Sequence, residues 1–176
     1  MDEFEIFHEK SGLINPEYSE YLLLYVKLVL DRHNIPFILM FGTLLGAYRD
    51  KSFIPYDKDI DIALSDENIQ DVKRIISSGE FSMYEIYVIR NALHKNLLSL
   101  RYRTDYIDFC FFQKRTDGYW YNEKRIDLWQ IDNGLTEIEF LGQKFKAVNN
   151  IEALLEKCYG NTWETKIENY PANEKF

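Results

Sequence analysis

Asp57, Asp59 and Asp61 occupy alternate positions in Asp57-Lys58-Asp59-Ile60-Asp61-Ile62-Ala63, and a further carboxylate, Asp108, sits between Ile107 and Phe109. Residues i and i+2 of a strand share a face. Asp59 and Asp61 therefore point one way while Ile60 and Ile62 point into a core. Two neighbouring carboxylates stay ionised at low cost only with a cation between them. An all-oxygen donor set suits Mg2+, or Mn2+ in its place, and carboxylate-held metal is suited to phosphate chemistry.

Other residues fit around that centre. Phe41-Gly42-Thr43-Leu44-Leu45-Gly46-Ala47-Tyr48-Arg49 reads as a glycine-marked turn into a short helix, with donors at Gly42 and Thr43 suited to phosphate. Asp108 lies in an apolar run, where an unpaired carboxylate is costly, so it is the candidate third metal ligand or proton acceptor. Asp57 is either a further substrate-side carboxylate or a loop-end cap. Arg49 and Lys51 fit phosphate contact or ordinary surface. Arg101 and Arg103 line the same cleft or pair across strands. His8, His33 and His94 lack metal-ligand spacing. Tyr48, Tyr56, Trp120, Tyr121 and Trp129 are able to stack a base, with core packing as the default.

The elements that must hold these residues are legible from pattern. Asn15 then Pro16 form an N-cap and first helical position. Tyr21, Leu24, Tyr25, Leu28 and Val29 give helical spacing over 17–33. Residues 36–41 read as a buried strand, 43–50 as a short helix, 58–63 as an alternating strand and 65–78 as a helix. Strands follow at 84–90, 97–103 and 106–112, and residues 119–131 are ambiguous. Segments 137–141 and 144–148 flank Gly142 as a hairpin, and 151–159 forms a final helix ending at Gly160. The fold class is α+β (α/β two-layer), a mixed sheet with helices packed on it. One domain spans 15–165, between an N-terminal arm (1–14) and a C-terminal tail (166–176).

With 176 residues and 46% hydrophobic content the chain buries a full core. Its net charge of −8 argues against a general nucleic-acid binder. Cys110 and Cys158 read as reduced core thiols. With neither a signal peptide nor a membrane span legible, a cytoplasmic protein is expected, working there or at the inner face of the membrane.

The pattern resembles the nucleotidyltransferase fold, in which a Gly-Thr turn and helix precede an Asp-x-Asp strand and a third Asp follows on a later strand. More narrowly, FGTLLGAYRDKSFIPYDKDIDIAL is similar to the signature of the LicD/fukutin-type phosphotransferases. Tyr106-Ile107-Asp108-Phe109 and Tyr159-Gly160-Asn161-Thr162-Trp163 continue the likeness more weakly. Tyr56 and Lys58 depart from the family's usual Trp and middle Asp, and only residues 113–130 stand where members carry longer helical material.

The resemblance implies transfer of a phospho-alcohol, such as phosphocholine or phosphoribitol, from a CDP-linked donor to a glycan or lipid-linked saccharide hydroxyl, releasing CMP. Capsule, teichoic acid or lipopolysaccharide is the destination it suggests. It also implies that Asp59 and Asp61 hold Mg2+ on the donor pyrophosphate, and that Asp108 shares metal or serves as base. Gly42 and Thr43 would approach the donor phosphates, while Arg49 and Lys51 would neutralise the leaving CMP. The rival expectations are a small nucleotidyltransferase moving NMP from an NTP to a small molecule or protein, and a non-catalytic binding module of the same fold.

Overall fold

The computed structural model describes residues 12–92, 96–122, 124–127 and 134–166. Most of the expected arm and tail, together with His8, His94 and Trp129, lies outside the described residues.

Helix α1 (Pro16–Arg32) begins where Asn15 Oδ1 accepts from the Glu17 and Tyr18 amides. Such a cap satisfies donors that have no partner within the helix. Its buried stripe is Leu22, Leu23, Val26, Val29 and Leu30, with Tyr25 at the margin. This corrects the stripe expected from spacing, because Leu28 is 51% exposed and Tyr21 37% exposed. The run YLLLYVKLVL is apolar on more than one side, so periodicity alone does not choose which side meets the sheet. Tyr21 instead lays its ring on Tyr102, 4.4 Å between centroids.

Five strands form the central mixed sheet in the order β1-β2-β5-β4-β3. They are β1 (Ile38–Leu39), β2 (Ile60–Ser65), β3 (Tyr87–Ala92), β4 (Leu97–Tyr102) and β5 (Asp105–Arg115). β2 and β5 run parallel, and the other neighbouring pairs are antiparallel. Ile60, Ile62, Ile107, Phe109, Leu98 and Leu100 are buried, and α1 packs against β4 and β5 on this side. The buried Asp105 ties α1 to the start of β5, accepting from the Asn15 amide at 2.7 Å and from Ser19 Oγ at 2.6 Å.

Between β1 and β2 the chain forms α2 (Phe41–Leu45), which runs on as one π-helical stretch, Gly46–Asp50. The strand expected at 36–41 is thus only two paired residues long, since Phe41 already opens α2. Helix α3 (Ile69–Ser77) follows β2. Tyr84 ends a 3-10 turn and Glu85 takes φ +59°, so β3 starts later than the sequence pattern suggests. The ambiguous 119–131 segment contains a ribbon, β6 (Gly118–Tyr121) with β7 (Lys124–Ile126), joined to the distal end of β5 through Gln113–Arg115.

The hairpin β8 (Thr136–Phe140) and β9 (Gln143–Ala147) turns through Leu141 and Gly142, both at positive φ. That is the geometry of a two-residue turn matched to strand twist. Phe140 and Phe145 are buried against Phe53 and Phe37. Helix α4 (Ile151–Tyr159) is capped by Asn150 and ends at Gly160, φ +79°. Cys110 is buried, but Cys158 is exposed, which corrects its expected place in the core. It lies one turn beyond Leu154 and Leu155, the last residues of α4 to be buried.

Candidate active site

β2 and β5 are in register at Asp61 and Asp108. Directly paired residues project on the same side of a sheet, so the two carboxylates meet on the side opposite the buried isoleucines. Asp59 joins them, and one oxygen from each of the three lies within 4.8 Å of the others. Two strands and a parallel pairing therefore build a convergent oxygen set from residues 49 positions apart in sequence.

Neighbouring side chains fix its members. Ser99, opposite Asp108 on β4, donates to Asp108 Oδ1 at 2.5 Å. The Tyr106 hydroxyl donates to Asp59 Oδ2 at 3.3 Å. The Cys110 thiol lies 3.9 Å from Asp61 Oδ1. Asp61 is also held through its backbone, where Thr43 Oγ1 accepts its N–H at 2.9 Å and its carbonyl accepts from Met40 N at 3.1 Å. These two bonds stitch the start of α2 to the strand that carries Asp61.

Gly42 is required by contact. A Cβ there would overlap the Asp57 carboxylate, which packs directly on its Cα. Gly46 is required in the same way, because a Cβ would come 2.5 Å from the Ser52 carbonyl and crowd Ile54. Phe41, at the head of α2, holds φ +46°, an uncommon conformation for a residue with a side chain.

The electrostatics are those of a half-buried acidic cluster. Burial, reinforced by the Asp59 charge, pushes the Asp57 carboxyl up to about 7, while the Lys58 amide opposes it. Burial also drives Asp61 well above the carboxylate range, with Asp59, Asp108 and Asp57 adding repulsion and Lys124 opposing. Such repulsion is relieved by a cation. The donors are all carboxylate oxygens, two of them steadied by Ser99 and Tyr106, so the cluster fits a hard divalent ion such as Mg2+.

The structure thus brings together Asp59, Asp61 and Asp108, with Gly42, Thr43 and Asp57 beside them. Arg101, aligned with Tyr106 across β4 and β5, falls on the same face by register. The remaining candidates are engaged elsewhere. Arg49 forks onto Asp50 and donates to the carbonyls of Trp163 and Thr165. Lys51 lies over the Tyr48 ring, and Arg103 pairs with Glu85 at 2.7 Å. Tyr48 bonds Glu152, Tyr56 bonds Arg49, and Trp120 bonds Asp117. Sequence reading assigned no role to Ser99, Tyr106 or Lys124. Tyr106 shares the face of Asp108 by simple i, i+2 alternation, but Ser99 needs the β4–β5 register. Lys124 carries no local signal.

A mixed sheet presenting this triad beside a glycine-marked helix defines a nucleotidyltransferase fold. Solved structures of that fold agree. ANT(2")-Ia in complex with adenylyl-2"-tobramycin superposes with TM-score 0.56 at 15% identity, over 86% of this chain and 80% of that one. The lincosamide antibiotic adenylyltransferase LnuA, lincomycin-bound, superposes with TM-score 0.53 at 13% identity, over 82% and 85%. The model of the family described as LicD/FKTN/FKRP, nucleotidyltransferase domain, matches residues 34–150, and the chain belongs to that family. Ribitol-5-phosphate transferase FKTN of Macaca fascicularis and of Homo sapiens each share 28% identity with it over 153 residues. That match covers 80% of this chain and 32% of each relative, so the chain spans about a third of their length. No described helix is long and apolar enough to cross a membrane.

Proposed function

We propose that this domain transfers a phospho-alcohol from a CDP-linked donor to a hydroxyl of a cell-surface glycan or its lipid-linked precursor, with release of CMP. The observation that carries the reading is the Asp59/Asp61/Asp108 triad, found within the segment that matches the LicD/FKTN/FKRP family. Ribitol 5-phosphate is the leading cargo because the FKTN relatives are named for it, and phosphocholine is the alternative. A cytoplasmic site of action, at the inner face of the membrane, suits a lipid-linked acceptor.

Asp59, Asp61 and Asp108 would hold Mg2+ or Mn2+. Bound there, the ion would supply Lewis-acid polarisation and charge neutralisation at phosphoryl oxygens. The chain's own groups set the geometry. Thr43 fixes the backbone of Asp61, Tyr106 orients Asp59, and Ser99 holds Asp108 by one oxygen. Asp108 would either share the metal or take the proton of the acceptor hydroxyl. The acceptor oxygen then bonds to the phosphorus bearing the alcohol, the bond from that phosphorus to the bridging oxygen breaks, and CMP leaves with that oxygen. Positioning and charge neutralisation supply most of the rate in such transfers.

The test is CMP release by the purified protein with Mg2+ and CDP-ribitol or CDP-choline, alongside ATP and CTP as competing donors. Asp59→Asn and Asp61→Asn are expected to lower turnover by at least about a hundredfold, the scale of losing a main electrostatic element of a site, with the melting transition retained. Near-full turnover in either variant would falsify the site, and preference for an NTP would move the reading to nucleotide transfer.

A further inference from the structure

The β6–β7 ribbon brings a cation to the acidic centre that no sequence motif announces. Tyr121 and Lys124 pair directly across the ribbon and so project on one side of it. Tyr121 packs on Phe112 at 5.4 Å and Phe41 at 6.5 Å, and bonds the Cys110 thiol beside Asp61. Lys124 Nζ stands 4.0 Å from the centroid of the Phe41 ring. The ribbon is tied down by Asp127, which receives Arg125 at 2.9 Å and Lys157 of α4 at 3.1 Å.

Four other cations near this end of the molecule are committed to acids. Arg49 and Lys166 are held by Asp50, and Arg125 and Lys157 by Asp127. Lys124, among the described residues, forms no ion pair and rests on an aromatic face. It stands across the ribbon from Tyr121, whose hydroxyl bonds the Cys110 thiol beside Asp61, so an ammonium there opposes a metal cation rather than helping to hold one. A cation in that place gains its use when an anion arrives. A diphosphate bound through metal turns further non-bridging oxygens outward, and a flexible ammonium perched on a ring is able to swing onto them.

We propose that Lys124 is a phosphate-binding residue of this site, delivered by the β6–β7 ribbon to the diphosphate of the donor. The inference rests on the phosphate-transfer reading of the triad and adds a side-chain contact on the anion. Phe41 is its resting perch, and Tyr121 and Asp127 set the height of the ribbon.

Calorimetry on the full chain tests it with three probes: Mn2+ alone, inorganic pyrophosphate with Mg2+, and CDP-ribitol with Mg2+. Lys124→Gln is expected to weaken pyrophosphate about tenfold, the scale of one charge-assisted contact, while binding Mn2+ as well as the wild type or better. Lys124→Arg is expected to stay within about threefold of wild type for pyrophosphate because it keeps the charge. Equal pyrophosphate affinity in Lys124→Gln and wild type overturns the proposal. Parallel loss of Mn2+ and pyrophosphate also overturns it, since that marks a structural role. Wild-type protein that binds pyrophosphate but not CDP-ribitol refutes ribitol phosphate as the cargo and leaves the Lys124 comparison with pyrophosphate decisive. Wild-type protein that binds neither phosphate probe overturns both.

Discussion

The contact between Gly42 and Asp57 shows how one missing methyl group shapes the acidic centre. Read as sequence, Gly42 opens a phosphate-binding turn. In the structure the group that comes close to it is the Asp57 carboxylate, which occupies the volume a Cβ would need. Gly42→Ala is therefore expected to destabilise the protein by about 1–3 kcal/mol, the usual cost of overpacking. Truncating Asp57 should remove the clash. The double variant Gly42→Ala/Asp57→Ala is expected to recover most of the loss, giving a coupling of at least about 1 kcal/mol in urea unfolding. Additive effects of the two substitutions would show that the overlap is relieved some other way. The aspartates were legible because alternation on a strand is a local rule. Ser99 was not, since its place opposite Asp108 depends on the pairing of β4 with β5, and register is not written in either strand alone.

At the scale of elements, the π-helical stretch after α2 ends in a clasp rather than a phosphate contact. Asp50 holds Arg49 at 2.8 Å and Lys166 at 3.0 Å, and Arg49 reaches the carbonyls of Trp163 and Thr165. The clasp fastens the segment after α4 to the helix that positions Thr43. Burial alone would raise the Asp50 carboxyl, but Arg49 and Lys166 overcome it and hold the group below the ordinary carboxylate value. A carboxyl depressed on folding contributes stability above its unfolded pKa, near 3.9, and loses it as pH falls through the lower folded value. The stability difference between wild type and Asp50→Asn is thus expected to be full, about 1–3 kcal/mol, at pH 6–7 and to shrink below about pH 4. Urea midpoints of both proteins across that range check it, and a difference that stays constant with pH refutes the clasp. Elements with one strong signal, such as the Asn15 cap or the Gly142 hairpin, were readable from sequence. The buried stripe of α1 and the β6–β7 ribbon were not, because each is chosen by what it packs against.

The whole molecule divides its sheet by chemistry. One face is apolar and carries α1, and the other gathers Asp59, Asp61 and Asp108, with the buried Cys110 and Phe112 linking them to the ribbon that bears Lys124. The chain adds a net charge of −8, so an anionic donor meets repulsion from the protein and from the triad alike. Lys124 and its neighbours cannot offset four carboxylates, so under the proposed function charge alone orders the binding, cation first and donor second. Mg2+ alone should then stabilise the fold. At about a hundred times its dissociation constant a ligand adds about 2.7 kcal/mol, or about 5–10 °C in melting temperature for a domain of this size. A CDP-linked alcohol is expected to raise the transition further only in the presence of the metal, with a shift under about 1 °C in EDTA, equivalent to less than about 0.5 kcal/mol. Differential scanning fluorimetry over the four combinations reads this directly. Equal stabilisation by the CDP-alcohol with and without Mg2+ would place donor recognition on the protein's own side chains and remove the triad from that step.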